Sequence, residues 1–572
     1  MSKKLLFFIT IIGMITALTI SGLATTWAIS DSATWGILPP TNPSFKYGGT
    51  VSYMINDGGI LPAGFNPYTS LNLDWVSWII YQPLFFTQNS YDTPTPCLGV
   101  NYRWADNGLK LIVKTRSGVE WSDGVPFTAN DVAFTFNLLK KYPAMDLNGV
   151  WSSSTLETVK ASGTNIVIFT FSSPDQPIIP VIFESLILPE HIWSQIKDPT
   201  TWTNLNPIGT GAFILKSYDA ANGTAILVKN PNYWLKGRPY IDTLIGRSYN
   251  SFDMATLELL KGNLNIAVLV VPHVFKVFVD KDPSTNSFYS SPSKGFEALY
   301  FNTAKYPFNI PEFRKAIAMG MNKSFLEQVA YGRAQEVPTA LGIPQSEWVD
   351  PTLTALASSL MAYNPQKAQE MLASIGFKKN SAGQLCDPDG KPLPTYTLTV
   401  VSGYTDFSDM TDIFAKELKT LGISTNIELR TPTTWWIGRE KGTYDMTFCW
   451  NYGTLEWGTS PYYIFNEMLN SKFSAPLGGN AISDYTRYTN PLIDAALNIY
   501  ATTSDLRLQR QCMYTIERIL LEDMPYVPVA TVKGTMMLYT KDLSGFPTSA
   551  DPYAGWGNTD MIALTTVSVH LK

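Results

Sequence analysis

Leu109–Phe136 reads LKLIVKTRSGVEWSDGVPFTANDVAFTF, and this stretch decides the fold. Apolar residues alternate from Leu109 to Val113, the period of a strand with one buried face. Asp123-Gly124 is a turn dipeptide. Thr128 stands before Ala129 and three residues ahead of Asp131, an arrangement in which a hydroxyl and a carboxylate satisfy the free amides of a helix start. Val132, Phe134 and Phe136 then give the helix its apolar faces. Strand, turn and capped helix in succession predict an α/β protein.

The chain around this segment has 572 residues, beyond the roughly 250 to 300 at which a single core stops growing, so at least two cores are expected. Hydrophobic residues make up 45% and charged residues 16%, the balance of a folded protein. The formal charge is −5 and no run of Lys and Arg forms a phosphate-tracking face, which excludes nucleic acid as a partner. Aromatic residues are plentiful, with 16 Trp, 29 Tyr and 29 Phe, against 3 His. Flat gripping surfaces are therefore abundant, and proton-shuttling or metal-ligating groups are scarce.

Further landmarks lie on both sides. Asn66-Pro67 and YQPLF (Tyr81–Phe85) precede the segment; PIGTGAFIL (Pro207–Leu215) and NPNYW (Asn230–Trp234) follow it. ALYFNTAKYPFNIPEFRKAIAMGMNK (Ala298–Lys323) places Phe313, Ile317 and Met321 at helical spacing, and YNPQKAQEML and CDPDGKPL come after it. In this order the motifs closely resemble those of the extracytoplasmic solute-binding proteins of the peptide, nickel and oligosaccharide class (family 5, cluster C), which serve ABC importers. The resemblance covers nearly the whole chain from about Tyr47. It implies a periplasmic-binding-protein fold, with two α/β lobes that close on ligand about a hinge. On that pattern residues 47–302 form lobe one with an additional subdomain at about 60–206, residues 303–527 form lobe two, and residues 528–572 return to lobe one. The crossings are expected near Phe301-Asn302 and near Pro525 to Pro528. A membrane-embedded ABC permease is the implied macromolecular partner, the protein itself being a monomer without cofactor or bound metal.

Lys3 and Lys4 precede the uncharged run Leu5–Ala24. This is the layout of a secretory signal, and the run also reaches the about 17 to 25 residues of a spanning helix, so residues 1–24 read as a signal peptide or an N-terminal membrane anchor. Residues 25–46, rich in Ser, Thr and Pro, read as a spacer. The body is expected outside the cytoplasm, released or tethered to the outer face of the membrane. Cys97, Cys386, Cys449 and Cys512 fit neither a zinc knuckle nor a CxxC pair, and buried free thiols are the simpler reading.

No GxSxG elbow, Walker A loop or HExxH helix occurs, and His191, His273 and His570 are not paired at metal-ligand spacing. Binding without catalysis is therefore expected. A sugar-acting carboxylate pair is the alternative from another class.

The ligand is read from YDMTFCWNYGTLEWGTSPYYIF (Tyr444–Phe465). Peptide-binding members of the family resemble it through the Trp but carry an Asp three residues later that pairs with the peptide α-amino group. Here the order is Trp450-Asn451-Tyr452-Gly453, so that position holds Gly. A buried ammonium without an anion is costly, and a free peptide terminus is disfavoured unless Glu456 substitutes. The segment instead offers Trp450, Tyr452, Trp457, Tyr462 and Tyr463, with Trp435-Trp436 shortly before it. Aromatic platforms grip the C–H faces of sugars while amides such as Asn451 bond their hydroxyls. Lobe one is expected to add Asn66, Trp75 and Trp556, with Trp78 one turn from Trp75. The plainer reading of Trp450, Tyr463, Trp75 and Trp78 is core packing. The favoured ligand is a neutral oligosaccharide, with cello- or other β-gluco-oligosaccharides first; an oligopeptide is the alternative, and nickel ranks third because His is so rare.

Overall fold

A computed structural model describes residues 42–572 apart from 56–63, 70–71, 88–93, 153, 250–251, 270–272, 292–294, 332–338, 340, 344–345, 403, 452–460, 504, 533–534 and 555–557. The leader or anchor at 1–24 and most of the spacer lie outside the described residues. Strand β1 (Thr50–Met54) is followed by helix α1 (Asp74–Ile80) and then by a four-stranded antiparallel subdomain of β2 (Gly99–Ala105), β3 (Lys110–Thr115), β4 (Leu156–Ala161) and β5 (Ile166–Phe171), ordered β2-β3-β5-β4. Between β3 and β4 runs α2 (Ala129–Lys141). Its start is the expected capping box: Thr128 Oγ1 accepts from the Asn130 amide at 3.2 Å, and Asp131 Oδ2 accepts from the Thr128 amide at 2.8 Å.

The chain returns with β6 (Phe213–Asp219), β7 (Thr224–Lys229), β8 (Thr243–Arg247), β9 (Ile266–Val268) and β10 (Asn286–Ser290), then enters a second sheet with β11 (Gly295–Phe301). After α3 (Thr354–Met361) come β12 (Tyr396–Val401), α4 (Thr405–Leu421), β13 (Thr425–Arg430), α5 (Pro432–Lys441), β14 (Met446–Trp450), α6 (Tyr462–Leu469), α7 (Leu506–Asp523) and β15 (Tyr526–Val532). Finally β16 (Thr535–Tyr539) rejoins the first sheet. The orders are β10-β16-β9-β1-β8-β7-β6 in lobe one and β13-β12-β14-β11-β15 in lobe two. Both faces of the lobe-one sheet are covered, because Val51 and Tyr53 enter one apolar cluster and Met54 another. Lobe two has its own core. Late residues Met561, Ile562 and Leu564 pack into the same apolar cluster as Val51 and Tyr53.

The change of sheet is displaced from the expected crossings. β11 and β15 pair with each other from Gly295↔Val532 to Tyr300↔Tyr526 and both belong to the lobe-two sheet. The chain therefore changes sheet between Ser290 and Gly295 and again between Val532 and Thr535, not at Phe301-Asn302 or Pro525 to Pro528. Residues 295–301 form an unbroken buried strand, and nothing local in such a run announces which sheet it joins. The expected helix of lobe two spans Pro311–Gly320 with Phe313 and Ile317 buried; Met321 is its cap, buried but beyond the last turn.

The family motifs meet in space and brace one another. Gly211 donates its amide to the Ile80 carbonyl at 2.8 Å and Ser122 donates to the Gly209 carbonyl at 2.9 Å. Asn230 Nδ2 donates to the Gly211 carbonyl at 2.8 Å, and Trp234 Nε1 donates to Gln82 Oε1 at 2.8 Å. The Arg116 guanidinium lies 4.1 Å from the Trp234 ring centroid. These segments are thus an architectural clasp between α1, the subdomain and the return strand.

Asp406, Asp484 and Glu517 are buried, and burial pushes their carboxyls up to about 6, 7 and 7 respectively. Carboxyls of an unfolded chain titrate near about 4. Between about pH 4 and pH 7 the folded chain therefore holds more protons than the unfolded one, and these groups' stabilisation is lost as pH rises through that window. Melting curves should show a higher transition temperature at pH 5 than at pH 7.5; the opposite slope would mean that other, salt-bridged carboxylates dominate the linkage.

Candidate ligand-binding cleft

Strand directions fix where the two lobes face each other. In lobe two β12 is parallel to β13 and β14, so their carboxyl ends share one edge, where antiparallel β11 begins and β15 ends. In lobe one β1 is parallel to β8 and β9, and β10 runs the same way because both it and β9 are antiparallel to β16. The chain passes between lobes at Ser290 to Gly295 and Val532 to Thr535, so both sheets turn the carboxyl ends of parallel strands toward the crossing. Ligands of open α/β sheets sit at such ends.

Trp450 is the last residue of β14, half-buried, with its ring 4.8 Å from Phe407 and edge-on to Tyr404 at 5.3 Å. The Tyr300 hydroxyl donates to its carbonyl at 2.9 Å. Asn451 extends the ladder by one side chain: its amide donates to the Phe296 carbonyl and its Oδ1 accepts the Phe296 amide, both at 2.8 Å. It is 3% exposed, and its Nδ2 has no hydrogen-bond partner among the described residues. Glu297 is buried directly across from Trp450 in the β11–β14 register. The Cys449 thiol is pushed up to about 12 by burial, so it is no nucleophile.

The other expected site residues divide. Trp435 is 1% exposed, donates Nε1 to Thr447 Oγ1 at 3.0 Å and belongs to the lobe-two core, so it is not available as a platform. Trp436, one helical position on, is 38% exposed and meets Trp435 edge-on at 5.5 Å. Asn66 is fully buried; Nδ2 donates to the Pro199 and Trp202 carbonyls at 2.8 and 2.9 Å, and Oδ1 accepts the Tyr68 amide at 3.1 Å. With its amide committed to holding that loop, Asn66 has no proton left for a ligand hydroxyl. Trp75 is half-buried against both apolar clusters of lobe one, and Trp78 is buried beside Phe86. Tyr452, Glu456, Trp457 and Trp556 lie outside the described residues.

Tyr462 stacks on Tyr500 at 5.3 Å, while the hydroxyl of its neighbour Tyr463 donates across to the Pro177 carbonyl of lobe one. Asp409 on α4 is held up by burial and by the neighbouring Asp412, with His273 of lobe one acting in the opposite direction. Tyr404, Phe407 and Glu297 escaped the sequence reading. Tyr404 had a usable signal, since it stands just past the carboxyl end of a parallel strand. Removing this hydrogen bond in Tyr463→Phe forfeits about 0.5–1.5 kcal/mol, and a roughly 2- to 10-fold shift toward separated lobes is expected. Small-angle scattering of the ligand-free variant should show a larger radius of gyration than the native protein; an equal radius would remove Tyr463 as a latch.

Two lobes joined by paired crossings, with aromatic and amide groups at the strand ends between them, define a solute-binding protein. The chain belongs to the bacterial extracellular solute-binding proteins, family 5, whose middle region matches residues 93–473. It is an extracytoplasmic solute-binding component of an ABC importer, and its homologues are substrate-binding proteins of such transporters. Among relatives, a putative ABC transporter peptide-binding protein of Brucella ovis is 24% identical over 481 residues, covering 82% of this chain and 85% of that one. The nickel-binding periplasmic protein of Escherichia coli K12 is 24% identical over 523 residues, 87% and 91% of the two chains. The mannohexaose-bound periplasmic oligopeptide-binding protein of Thermotoga maritima has the same fold, with a TM-score of 0.76 at 23% identity over 91% of this chain and 98% of that one. Among the described residues no helix is long and apolar enough to cross a membrane, and no group of three or more His, Cys, Asp or Glu is placed to hold a metal ion.

Proposed function

We propose that the protein captures a neutral oligosaccharide, first of all a cello- or other β-gluco-oligosaccharide, between its lobes and presents it to a membrane-embedded permease. The observation that carries this reading is the pairing at the end of β14: a half-buried Trp450 ring braced by Phe407 and Tyr404, followed by Asn451, whose buried side-chain amide has no hydrogen-bond partner among the described residues. A ring and, one residue on, an N–H donor with no described partner suit a sugar, whose C–H face stacks while a hydroxyl accepts. Tyr452, Trp457, Trp436, Tyr462 and Trp556 are proposed to extend the aromatic surface. The mannohexaose bound to the Thermotoga maritima protein supports the chemistry within this fold.

An oligopeptide is the second reading. It is favoured by the buried carboxylate of Glu297 opposite Trp450, a partner for an ammonium, and by the peptide-binding name of the Brucella ovis relative. Calorimetry with cello- and manno-oligosaccharides, a free peptide and its N-acetylated form separates the two. Saturable sugar binding with no peptide binding is expected. Peptide binding abolished by acetylation, with no response to sugars, would replace the sugar assignment with the Glu297 reading.

A further inference from the structure

A second cavity, of about 450 Å³, lies within lobe two between α3, α7 and the segment that begins at Asn322. It is lined by lobe-two residues, and none of them comes from the strand ends that face lobe one. Two charged side chains in its lining, Lys323 and Glu517, are 3% and 0% exposed. Val349, Ala357 and Met361 supply its apolar wall. Its size falls in the range of about 300 to 1,000 Å³ usual for small-molecule sites.

The charges of this cup are unevenly matched. Lys323 gives two of its three protons to the Ala318 and Met361 carbonyls, at 3.1 and 2.7 Å, and burial lowers its ammonium to about 8 against the opposing pull of Glu417 and Glu327. Asp350 accepts from Thr352 and faces Arg518 at 3.7 Å. Glu517 Oε2 accepts the Asp350 amide at 2.6 Å, but Glu517 Oε1 is buried with no hydrogen-bond partner among the described residues. Asp350, of like sign, pushes the Glu517 carboxyl up further. A fully buried carboxylate oxygen of this kind calls for a donor, and a cationic donor answers its negative charge as well. Burial holds Glu517 near about 7, so at pH 8 it is the carboxylate.

The geometry points to a second binding site in lobe two for a small primary ammonium ion carrying a short apolar chain, its nitrogen on Glu517 Oε1 and its chain against Val349, Ala357 and Met361. The site is separate from the cleft between the lobes and does not depend on which solute that cleft takes.

The probe is n-butylammonium chloride, added to the full chain at pH 8 and followed by calorimetry and by the melting temperature, with n-butanol, butyrate and matched sodium chloride as controls. Saturable binding at millimolar concentration and a rise in melting temperature are expected for the ammonium alone. Glu517→Gln keeps an acceptor for the Asp350 amide but removes the charge, and should weaken binding at least tenfold. Ala357→Trp fills the cup from its wall without touching Glu517, and should abolish binding in a protein that still melts cooperatively. Equal binding of n-butanol, no saturable binding by the native protein, or unchanged binding in a folded Ala357→Trp protein would each overturn the assignment. The same holds for native affinity in Glu517→Gln; should that variant fail to fold, the Ala357→Trp result decides.

Discussion

Trp450→Ala is expected to weaken oligosaccharide binding by roughly 30- to 1,000-fold while the protein still folds. One aromatic platform at the centre of a binding site is worth about 2–4 kcal/mol, and each 1.4 kcal/mol is about tenfold in affinity. The same ring also rests on Phe407 and Tyr404, so some stability is lost with it. Because Trp450 is half-buried, that loss should stay below the about 3–5 kcal/mol of a fully buried Trp. Trp435→Ala is the matched control, being 1% exposed and bonded to Thr447. It should fall at the full core cost and unfold lobe two early, with little specific loss of affinity in whatever fraction stays folded. Calorimetry beside a melting curve for each variant reads both quantities. Normal sugar binding by Trp450→Ala would end the platform role, and a Trp450→Ala protein as unstable as Trp435→Ala would make the ring a core residue.

The contrast between these two tryptophans marks how far the sequence was legible. Local chemistry read correctly: Thr128 and Asp131 form the capping box, Gly124 takes a left-handed φ of 87° in the turn after Asp123, and the four cysteines are buried thiols outside any disulfide. These outcomes depend on neighbours a few residues away. What failed to read depends on partners far along the chain. Asn66 looked like a ligand amide until the loop at Pro199 to Trp202 closed over it, and Tyr463 meets Pro177 across 286 positions. Trp435 and Trp436 are adjacent in sequence, but successive helical positions point in different directions, and only packing decides which one faces the core. The crossings were misplaced for a similar reason, since the apolar run of β11 suits a buried strand in either sheet. Tyr404 was reachable in principle, because the rule that ligands collect at strand carboxyl ends needs only the strand order. That order is set by pairings between residues more than a hundred positions apart, such as Glu297 with Trp450.

Gly211→Ala is expected to be a severely damaging change in lobe one, and backbone contact is the reason. A Cβ at Gly211 would stand 2.1 Å from the Ile79 carbonyl oxygen and 2.6 Å from that of Ile80; one at Gly209 would stand 2.0 Å from the Ile80 oxygen. Real Cβ atoms do not approach so closely, and main-chain carbonyls cannot swing aside as a side-chain tip does. Relief requires the end of α1 to move away from the return strand. That movement breaks the Gly211 to Ile80 hydrogen bond and strains the neighbouring links of Asn230 to Gly211 and Trp234 to Gln82. Overpacking of this kind costs about 1–3 kcal/mol in cores that yield, and here the upper end or more applies because nothing flexible can yield. At about 2–4 °C for each kcal/mol, the melting temperature should fall by roughly 6–12 °C. Gly163→Ala is the internal comparison. Gly163 has φ of 71° with nothing within 4 Å of its would-be Cβ, so the cost there is conformational alone, about 1–2 kcal/mol. A Gly211→Ala protein that melts within 2 °C of the native one, or no lower than Gly163→Ala, would show that the GTG loop is not held against α1 as described. A large drop confined to Gly211 would establish why this motif carries glycine: the two backbones are hydrogen-bonded at a separation that leaves no room for a methyl group.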